Sequence, residues 1–147
     1  MNAHDSEELL REGRRVLEVE AGAVAALARR LGEPFVRAVE LLATASGRVI
    51  VSGIGKSGIV GRKIAATLTS TGTPATFLHP VEGLHGDMGI VSREDVAILI
   101  SKSGGTEELV GLMDYLMRLG VPIIALTGEV DSPLGRAAAV AVDCSVG

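Results

Sequence analysis

Two short stretches of the sequence combine glycines, hydroxyl side chains and lysine in a pattern that suits phosphate binding. The first, "VSGIGKSG" at residues 51–58, joins three glycines and two serines to one lysine. The second, "ISKSGGTEE" at residues 100–108, sets three hydroxyl side chains around two glycines: Ser101, Ser103 and Thr106 around Gly104 and Gly105. Glycines let an anion approach the backbone closely, and hydroxyl and lysine side chains donate hydrogen bonds to it.

Each stretch follows a predicted strand and opens a predicted helix. The runs "RVIVSG" and "DVAILIS" are short, apolar and rich in β-branched residues, which is typical of buried strands. A helix N-terminus presents unpaired N–H groups and a partial positive charge. Both stretches are therefore candidate phosphate sites, formed by Gly55, Ser57, Ser101, Ser103, Gly104 and Thr106.

Three specific hypotheses for the first stretch can be tested against its residues. A P-loop needs a glycine five residues before its Gly-Lys-Ser element, and Ile50 occupies that position, so this hypothesis fails. The glycine spacing matches the dinucleotide fingerprint, but that fold needs an acidic residue at the end of its second strand, where this chain has "FLHP". A tight turn without any ligand is the third hypothesis. Neither of these two explains Lys56.

The second stretch has a simpler alternative, which is plain helix capping. Ser103 or Thr106 could cap the following helix, with Glu107 and Glu108 in its first turn. Capping needs one hydroxyl, however, and this stretch holds three hydroxyls beside two glycines. The excess favours a phosphate.

The order of elements predicts the fold. Two helices, at residues 5–31 and 34–44, precede five apolar runs that alternate with helical patterns. Strands apolar on both faces are typical of a parallel sheet between helices, so we expect an α/β three-layer sandwich with a five-stranded parallel sheet of the flavodoxin-like type. Residues 1–46 form leading helices that pack on a sheet domain at residues 47–147. The last strand has no helix after it, so apolar sheet surface is expected to face water there.

Composition narrows the classes of function. The net charge of −4 and the aromatic content of 2% argue against a nucleic-acid partner. The single cysteine, Cys144, fits a reducing compartment. The first residues are charged and are not typical of a signal peptide, and no apolar run is long enough for a membrane span. The sequence predicts a cytoplasmic protein without a membrane partner.

Longer motifs identify a family. The segments "SGIGKSG", "TSTGTPATFLHPVEGLHGDMG" and "SKSGGTEE", in this order and spacing, resemble the sugar isomerase (SIS) domain. More narrowly they resemble the arabinose-5-phosphate isomerases of the 3-deoxy-manno-octulosonate (KDO) pathway, which leads to lipopolysaccharide. The resemblance covers nearly the whole chain. It implies an aldose–ketose isomerase that interconverts D-ribulose 5-phosphate and D-arabinose 5-phosphate through an enediol, without a cofactor.

The resemblance also implies residue roles and partners. The loop matching residues 101–106 holds the sugar phosphate, and Ser57 contributes to the same pocket. Lys56 and Glu108 match active-site residues, and His85 matches a histidine at the site. The only implied ligand is a small sugar phosphate, and SIS domains generally assemble as homo-oligomers, here a dimer or tetramer.

Residue chemistry is consistent with this reaction. Aldose–ketose isomerisation moves a proton between adjacent carbons, which requires a carboxylate or histidine base. Glu108, Glu82 and His85 are the candidate proton carriers. Lys56 is the candidate electrophile, because an enediolate carries new negative charge on oxygen. No metal is expected, because the histidines and acidic residues of the segment 79–87, predicted as a loop, match no tight ligand motif.

The chain departs from the family pattern in two respects. Lys102 stands where the family usually has Asn or Gln, and Gly105 stands where it usually has a larger polar residue. Family isomerases also continue beyond the residue matching Gly147, with a further active-site glutamate and histidine, and many carry paired CBS domains. We therefore expect a C-terminally truncated fragment with reduced or no activity. The alternatives are a non-catalytic phosphosugar-binding SIS module and an isomerase of another sugar phosphate.

Overall fold

The computed structural model describes the backbone of residues 3–146 and the side chains of residues 5–146, in two compact units. The first unit contains α1 (Ala3–Arg30), a helix of 28 residues. Its apolar side chains are largely exposed, among them Leu9, Leu10, Val16, Leu17, Val19 and Val24. An ion pair from Arg15 to Glu12, at 2.6 Å, lowers the pKa of the Glu12 carboxyl. The apolar residues of α1 are thus not buried within the first unit itself.

The second unit, residues 32–145, is built on a five-stranded sheet in the order β2-β1-β3-β4-β5 with parallel pairing throughout. The strands are β1 (Val49–Gly53), β2 (Ala75–Phe77), β3 (Val96–Ser101), β4 (Ile123–Thr127) and β5 (Val140–Asp143). Gly53 at the end of β1 pairs with Ile100, and Ser101 at the end of β3 pairs with Thr127. Strands β1, β3 and β4 thus end at one edge of the sheet. The predicted α/β fold is confirmed.

Helices cover both faces of the sheet. The helices of this unit are α2 (Glu33–Thr44), α3 (Lys56–Ser70), α4 (Pro80–Leu84), α5 (Glu107–Leu119) and α6 (Pro133–Ala137). Successive strand residues point to opposite faces. Val49 and Val51 therefore pack with Ala38 of α2 and Ala65 of α3, whereas Ile50 belongs to the core cluster that includes α5 and α6. The result is the three-layer arrangement that the alternating pattern predicts.

The last strand is covered better than its position in the sequence suggests. Val140 and Val142 of β5 are 4% and 7% exposed. Helix α2 contacts β5, and Arg37 of α2 donates a hydrogen bond to the carbonyl oxygen of Ala139 at 3.4 Å. The expectation that the apolar surface of this strand faces water is therefore wrong. The predicted packing of the leading helices on the rest of the chain stays a prediction for α1.

Three local predictions need correction. The helical pattern "GIVGRKIAATLTSTG" predicts a helix from Gly58, whereas α3 begins two residues earlier, at Lys56. The run "PATFLH" predicts a strand of six residues, whereas β2 has only three. The segment predicted as a loop contains α4 and a 3₁₀ helix at Asp87–Ile90. Pro80 explains α4, because proline suits a first helical position and holds the preceding residue, His79, in an extended conformation.

Candidate functional site

An open cavity of about 400 Å³ lies between the first loop (residues 53–58) and the second loop (residues 101–106). The order of the strands makes this a switch point, because β1 is flanked by β2 on one side and by β3 on the other. Open α/β sheets bind ligands in the crevice at such a point. This switch-point cavity is lined by Ile54, Ser57, Ile100, Ser101, Lys102, Ser103, Thr106, Leu109 and Glu129. Two loops some fifty residues apart in sequence thus share one cavity, as the resemblance implied.

The glycines of the first loop hold α3 close to the sheet. A Cβ atom on Gly53 would lie 3.0 Å from the carbonyl oxygen of Ile100, and one on Gly58 would lie 2.7 Å from that of Gly53. Gly55 differs, since it has φ +59° and no neighbour within 4 Å of an added Cβ. It occupies the N-cap position of α3. This close approach carries Ser57 into the first turn of the helix, where it lines the cavity.

The second loop is held by a hydrogen bond within it and by one close contact. Ser101 is 5% exposed, and its Oγ accepts a hydrogen bond from the N–H of Gly104 at 3.0 Å. The same Oγ lies 3.5 Å from Oγ1 of Thr106. Gly104 has φ +63°, and a Cβ atom there would overlap the side chain of Ser132. Only glycine fits this position, so the loop has a defined shape before any ligand binds.

Hydrogen-bond donors of the second loop are available to a ligand. Thr106 is the N-cap residue of α5, yet its side chain makes no capping hydrogen bond. The N–H groups of Ser103, Gly105 and Thr106 form no hydrogen bond with any residue that the structure describes. The first turn of α5 adds the unpaired N–H groups that every helix has. Capping therefore does not account for the Thr106 hydroxyl, and the site offers several donors to an anion.

Two charged residues complete the lining. Lys102 lies in the second loop, and Glu129 lies in the turn after β4 (residues 128–132). The N–H of Gly128 donates to the carbonyl oxygen of Lys102 at 3.1 Å, which ties this turn to the second loop. In the sequence, Lys102 stands out only as a departure from the family pattern, and Glu129 was not predicted as a site residue. The available signal was its place directly after a predicted strand, at the edge where sites form.

The four predicted catalytic residues lie on three helices and their ends. Lys56 begins α3, Glu108 is in the first turn of α5, Glu82 is in α4 and His85 follows α4 directly. All four are exposed, and none of them lines the switch-point cavity. Helix α4 packs on α5, so the element of Glu82 neighbours that of Glu108. The catalytic roles of these residues stay predictions.

The described part of the chain contains neither a cluster of metal ligands nor a helix that could span a membrane. Among these residues, no group of three or more His, Cys, Asp or Glu is placed to hold a metal ion. No described helix combines the length and apolar character needed to cross a bilayer, since α1, though 28 residues long, is rich in Glu and Arg.

Comparison with known proteins agrees with this geometry. Residues 41–147 match the SIS domain family. The chain is 48% identical over 147 residues to the arabinose 5-phosphate isomerase KdsD of Pseudomonas aeruginosa, covering all of this chain and 45% of that protein. It is 51% identical over 141 residues to the arabinose 5-phosphate isomerase GutQ of Salmonella typhimurium, covering 96% of this chain and 44% of that protein. The chain therefore spans less than half the length of these relatives.

Solved structures of similar proteins also superpose on this chain. The Escherichia coli CFT073 protein c3406, in complex with arabinose 5-phosphate, superposes with a TM-score of 0.90 at 36% identity, covering all of this chain and 77% of that one. A putative sugar-phosphate isomerase from Listeria monocytogenes superposes with a TM-score of 0.92 at 31% identity, covering all of this chain and 76% of that one. On its motifs, its sheet order and these matches, the chain belongs to the SIS domain family.

Proposed function

We propose that this chain forms the phosphosugar-binding part of an isomerase that interconverts D-ribulose 5-phosphate and D-arabinose 5-phosphate. The observation that carries the proposal is the switch-point cavity, where Ser57 of one loop meets three hydroxyl residues of the other. Relatives about 50% identical are named arabinose 5-phosphate isomerases, which supports the type of reaction, and the arabinose 5-phosphate complex of a structural neighbour supports the ligand.

The cavity suits a phosphate in particular. Its donors are neutral hydroxyls, the free N–H groups of the second loop and the N-termini of α3 and α5, which together favour a compact anion. Lys102 lines the same cavity and adds a full positive charge. Leu109 and Ile54 supply apolar surface to the same cavity.

The proposed chemistry is a proton transfer between two adjacent carbons. A base removes a proton from C1 of ribulose 5-phosphate, the enediol forms, and the proton returns at C2 while a proton moves from the oxygen on C1 to that on C2. We assign base and acid roles to Glu108, Glu82 and His85, and stabilisation of the enediolate to Lys56. The reaction is balanced without any metal or redox cofactor.

The setting of the enzyme is part of the same proposal. We infer a cytoplasmic protein whose product serves KDO and lipopolysaccharide synthesis, and a homo-oligomer, either dimer or tetramer. Two exposed apolar side chains on α3 support an oligomer, since Ile59 is 70% exposed and Val60 is 52% exposed. The apolar surface of α1 supports it as well.

One observation favours a second candidate, a phosphosugar-binding module without catalysis. None of Lys56, Glu82, His85 and Glu108 lines the cavity that holds the proposed phosphate site. A phosphate pocket could therefore function in this chain without a complete set of catalytic groups.

Phosphorus NMR of this chain with D-arabinose 5-phosphate separates the two candidates. Growth of a ribulose 5-phosphate signal supports the isomerase. Broadening of the substrate signal without product supports the binding module, and an unchanged sharp signal contradicts both.

Substitution of Lys56 then tests its role. In an active chain, Lys56→Met should lower turnover by at least about 100-fold, the usual effect of removing one stabilising group from a developing oxyanion. Lys63→Met is the matched control, because Lys63 is exposed on the same helix and donates to Thr67 at 2.9 Å, outside the cavity. Equal turnover in the two variants would contradict the assignment of Lys56.

A further inference from the structure

The phosphate site leaves one feature of the switch-point cavity unexplained, which is a carboxylate. Glu129 lines the cavity together with the hydroxyl residues of the second loop. Its side chain is exposed and forms no ion pair with any described residue. A negative charge beside a phosphate weakens binding by repulsion. Its presence therefore needs a reason other than phosphate recognition.

Hydrogen bonds hold the backbone of Glu129 beside the cavity. Its N–H donates to Oγ1 of Thr127 at 3.1 Å, and its carbonyl oxygen accepts from the N–H of Ser132 at 3.1 Å. The adjacent Gly128 donates to the carbonyl oxygen of Lys102 at 3.1 Å. The turn is therefore held at both ends and against the second loop, which keeps the backbone of Glu129 next to the cavity.

The two charged residues of the lining favour different groups on a ligand. Among the described residues that line the cavity, Lys102 is the lysine and Glu129 is the carboxylate. A phosphate monoester carries a charge of about −1.5 to −2 at neutral pH, which the lysine and the N–H groups of the second loop can balance. A second anionic group on the ligand would be repelled by Glu129, with no further positive side chain among the described residues of the lining to balance it. Hydroxyl groups, in contrast, donate hydrogen bonds to a carboxylate.

We propose that Glu129 determines specificity by charge, so that the cavity accepts ligands whose phosphate is their only anionic group. The accepted class is phosphorylated polyols and sugars, and the disfavoured class is phosphorylated acids. The inference rests on the proposed function, because it requires the phosphate to bind at the second loop.

The test compares two small ligands that differ at the end remote from the phosphate. Glycerol 3-phosphate carries a hydroxyl there, and 3-phosphoglycerate carries a carboxylate. Calorimetric titration of the 147-residue chain should give a lower Kd for glycerol 3-phosphate. The variant Glu129→Gln keeps the shape of the side chain and removes its charge. In this variant the Kd for 3-phosphoglycerate divided by the Kd for glycerol 3-phosphate should fall about three- to fivefold, the effect of one exposed charge pair. Most of the change should come from tighter binding of 3-phosphoglycerate.

Asp131→Asn is the matched control. Asp131 is exposed in the same turn and does not line the cavity. Each variant loses one acidic residue, so the net charge changes from −4 to −3 in both and long-range effects cancel. The control should keep the ratio of the unmodified chain.

The outcomes separate this inference from the proposed function. A ratio that is unchanged in Glu129→Gln, or that falls as far in Asp131→Asn, overturns the specificity role and leaves phosphate binding intact. Failure of both D-arabinose 5-phosphate and glycerol 3-phosphate to bind the unmodified chain overturns the proposed function and this inference together.

Discussion

The two glycine-containing loops look alike in sequence and do different things in the structure. In the first loop, Gly53 and Gly58 are needed because backbone atoms lie within about 3 Å of the position a Cβ would take. In the second loop, Ser101 is buried and accepts a hydrogen bond from Gly104. The first loop therefore mainly holds helix α3 on the sheet and contributes one hydroxyl, while the second loop forms most of the lining of the switch-point cavity. Similar composition does not imply similar tasks.

Paired glycine substitutions should show this difference most strongly. Gly55 and Gly104 have nearly the same φ, +59° and +63°, but an added Cβ meets nothing at Gly55 and overlaps Ser132 at Gly104. Gly55→Ala should lower the free energy of unfolding by about 1–3 kcal/mol from backbone strain alone. Gly104→Ala should cost about 2 kcal/mol more, because overpacking adds to the same strain. Urea unfolding measures both, and equal costs would contradict the view that the second loop is held by its contact with Ser132.

The hydroxyl of Thr106 gives a smaller and more specific effect. Since it makes no capping hydrogen bond, Thr106→Val should change the free energy of unfolding by less than about 0.5 kcal/mol. Loss of one ligand hydrogen bond should raise the Kd for D-arabinose 5-phosphate about five- to tenfold, or about 1–1.4 kcal/mol.

Ser132→Ala is the control for Thr106→Val, because Ser132 is a true cap. Its Oγ accepts from the N–H of Gly135 at 3.2 Å. Its removal should therefore destabilise the fold by about 1 kcal/mol. If Thr106→Val instead destabilised the chain by that amount and left binding unchanged, plain capping would be the correct interpretation of the second loop.

The sequence alone was sufficient to predict the sheet and the two loops. Apolar β-branched runs such as "RVIVSG" locate the strands, because buried parallel strands require that composition. The phosphate-binding role of the hydroxyls in the second loop was also predicted from local sequence, because glycines and hydroxyls directly before a helix are typical of an anion site. Four of the predicted phosphate-binding residues do line one cavity: Ser57, Ser101, Ser103 and Thr106.

What could not be predicted depends on contacts between distant segments. The cover that α2 gives β5 joins residues about a hundred positions apart, Arg37 and Ala139. The place of Glu129 after a predicted strand puts it at the right edge of the sheet, but it lines this cavity because β4 pairs with β3, and strand order does not appear in any local pattern. Helix α4 was missed for a different reason, because Pro80 at its first helical position is a local signal that the sequence did offer. The kind of ligand that each loop suits is therefore predictable from the sequence here, whereas contacts between residues distant in sequence are not.

The smallest predicted effect is a difference in ligand affinity between variants of the lysines in the two loops. If the second loop binds the phosphate, Lys102→Met should raise the Kd for D-arabinose 5-phosphate about threefold, as expected for one exposed charge, and this loss of affinity should shrink at high salt. Lys56→Met should leave this Kd nearly unchanged, because Lys56 lies outside the cavity lining. Calorimetric titration at low and high salt measures both, with Lys63→Met as the control for loss of charge from a helix surface. A larger loss of binding in Lys56→Met than in Lys102→Met would reverse the comparison, because the phosphate would then lie against the first loop, and the glycines there would serve the ligand as well as the packing of α3.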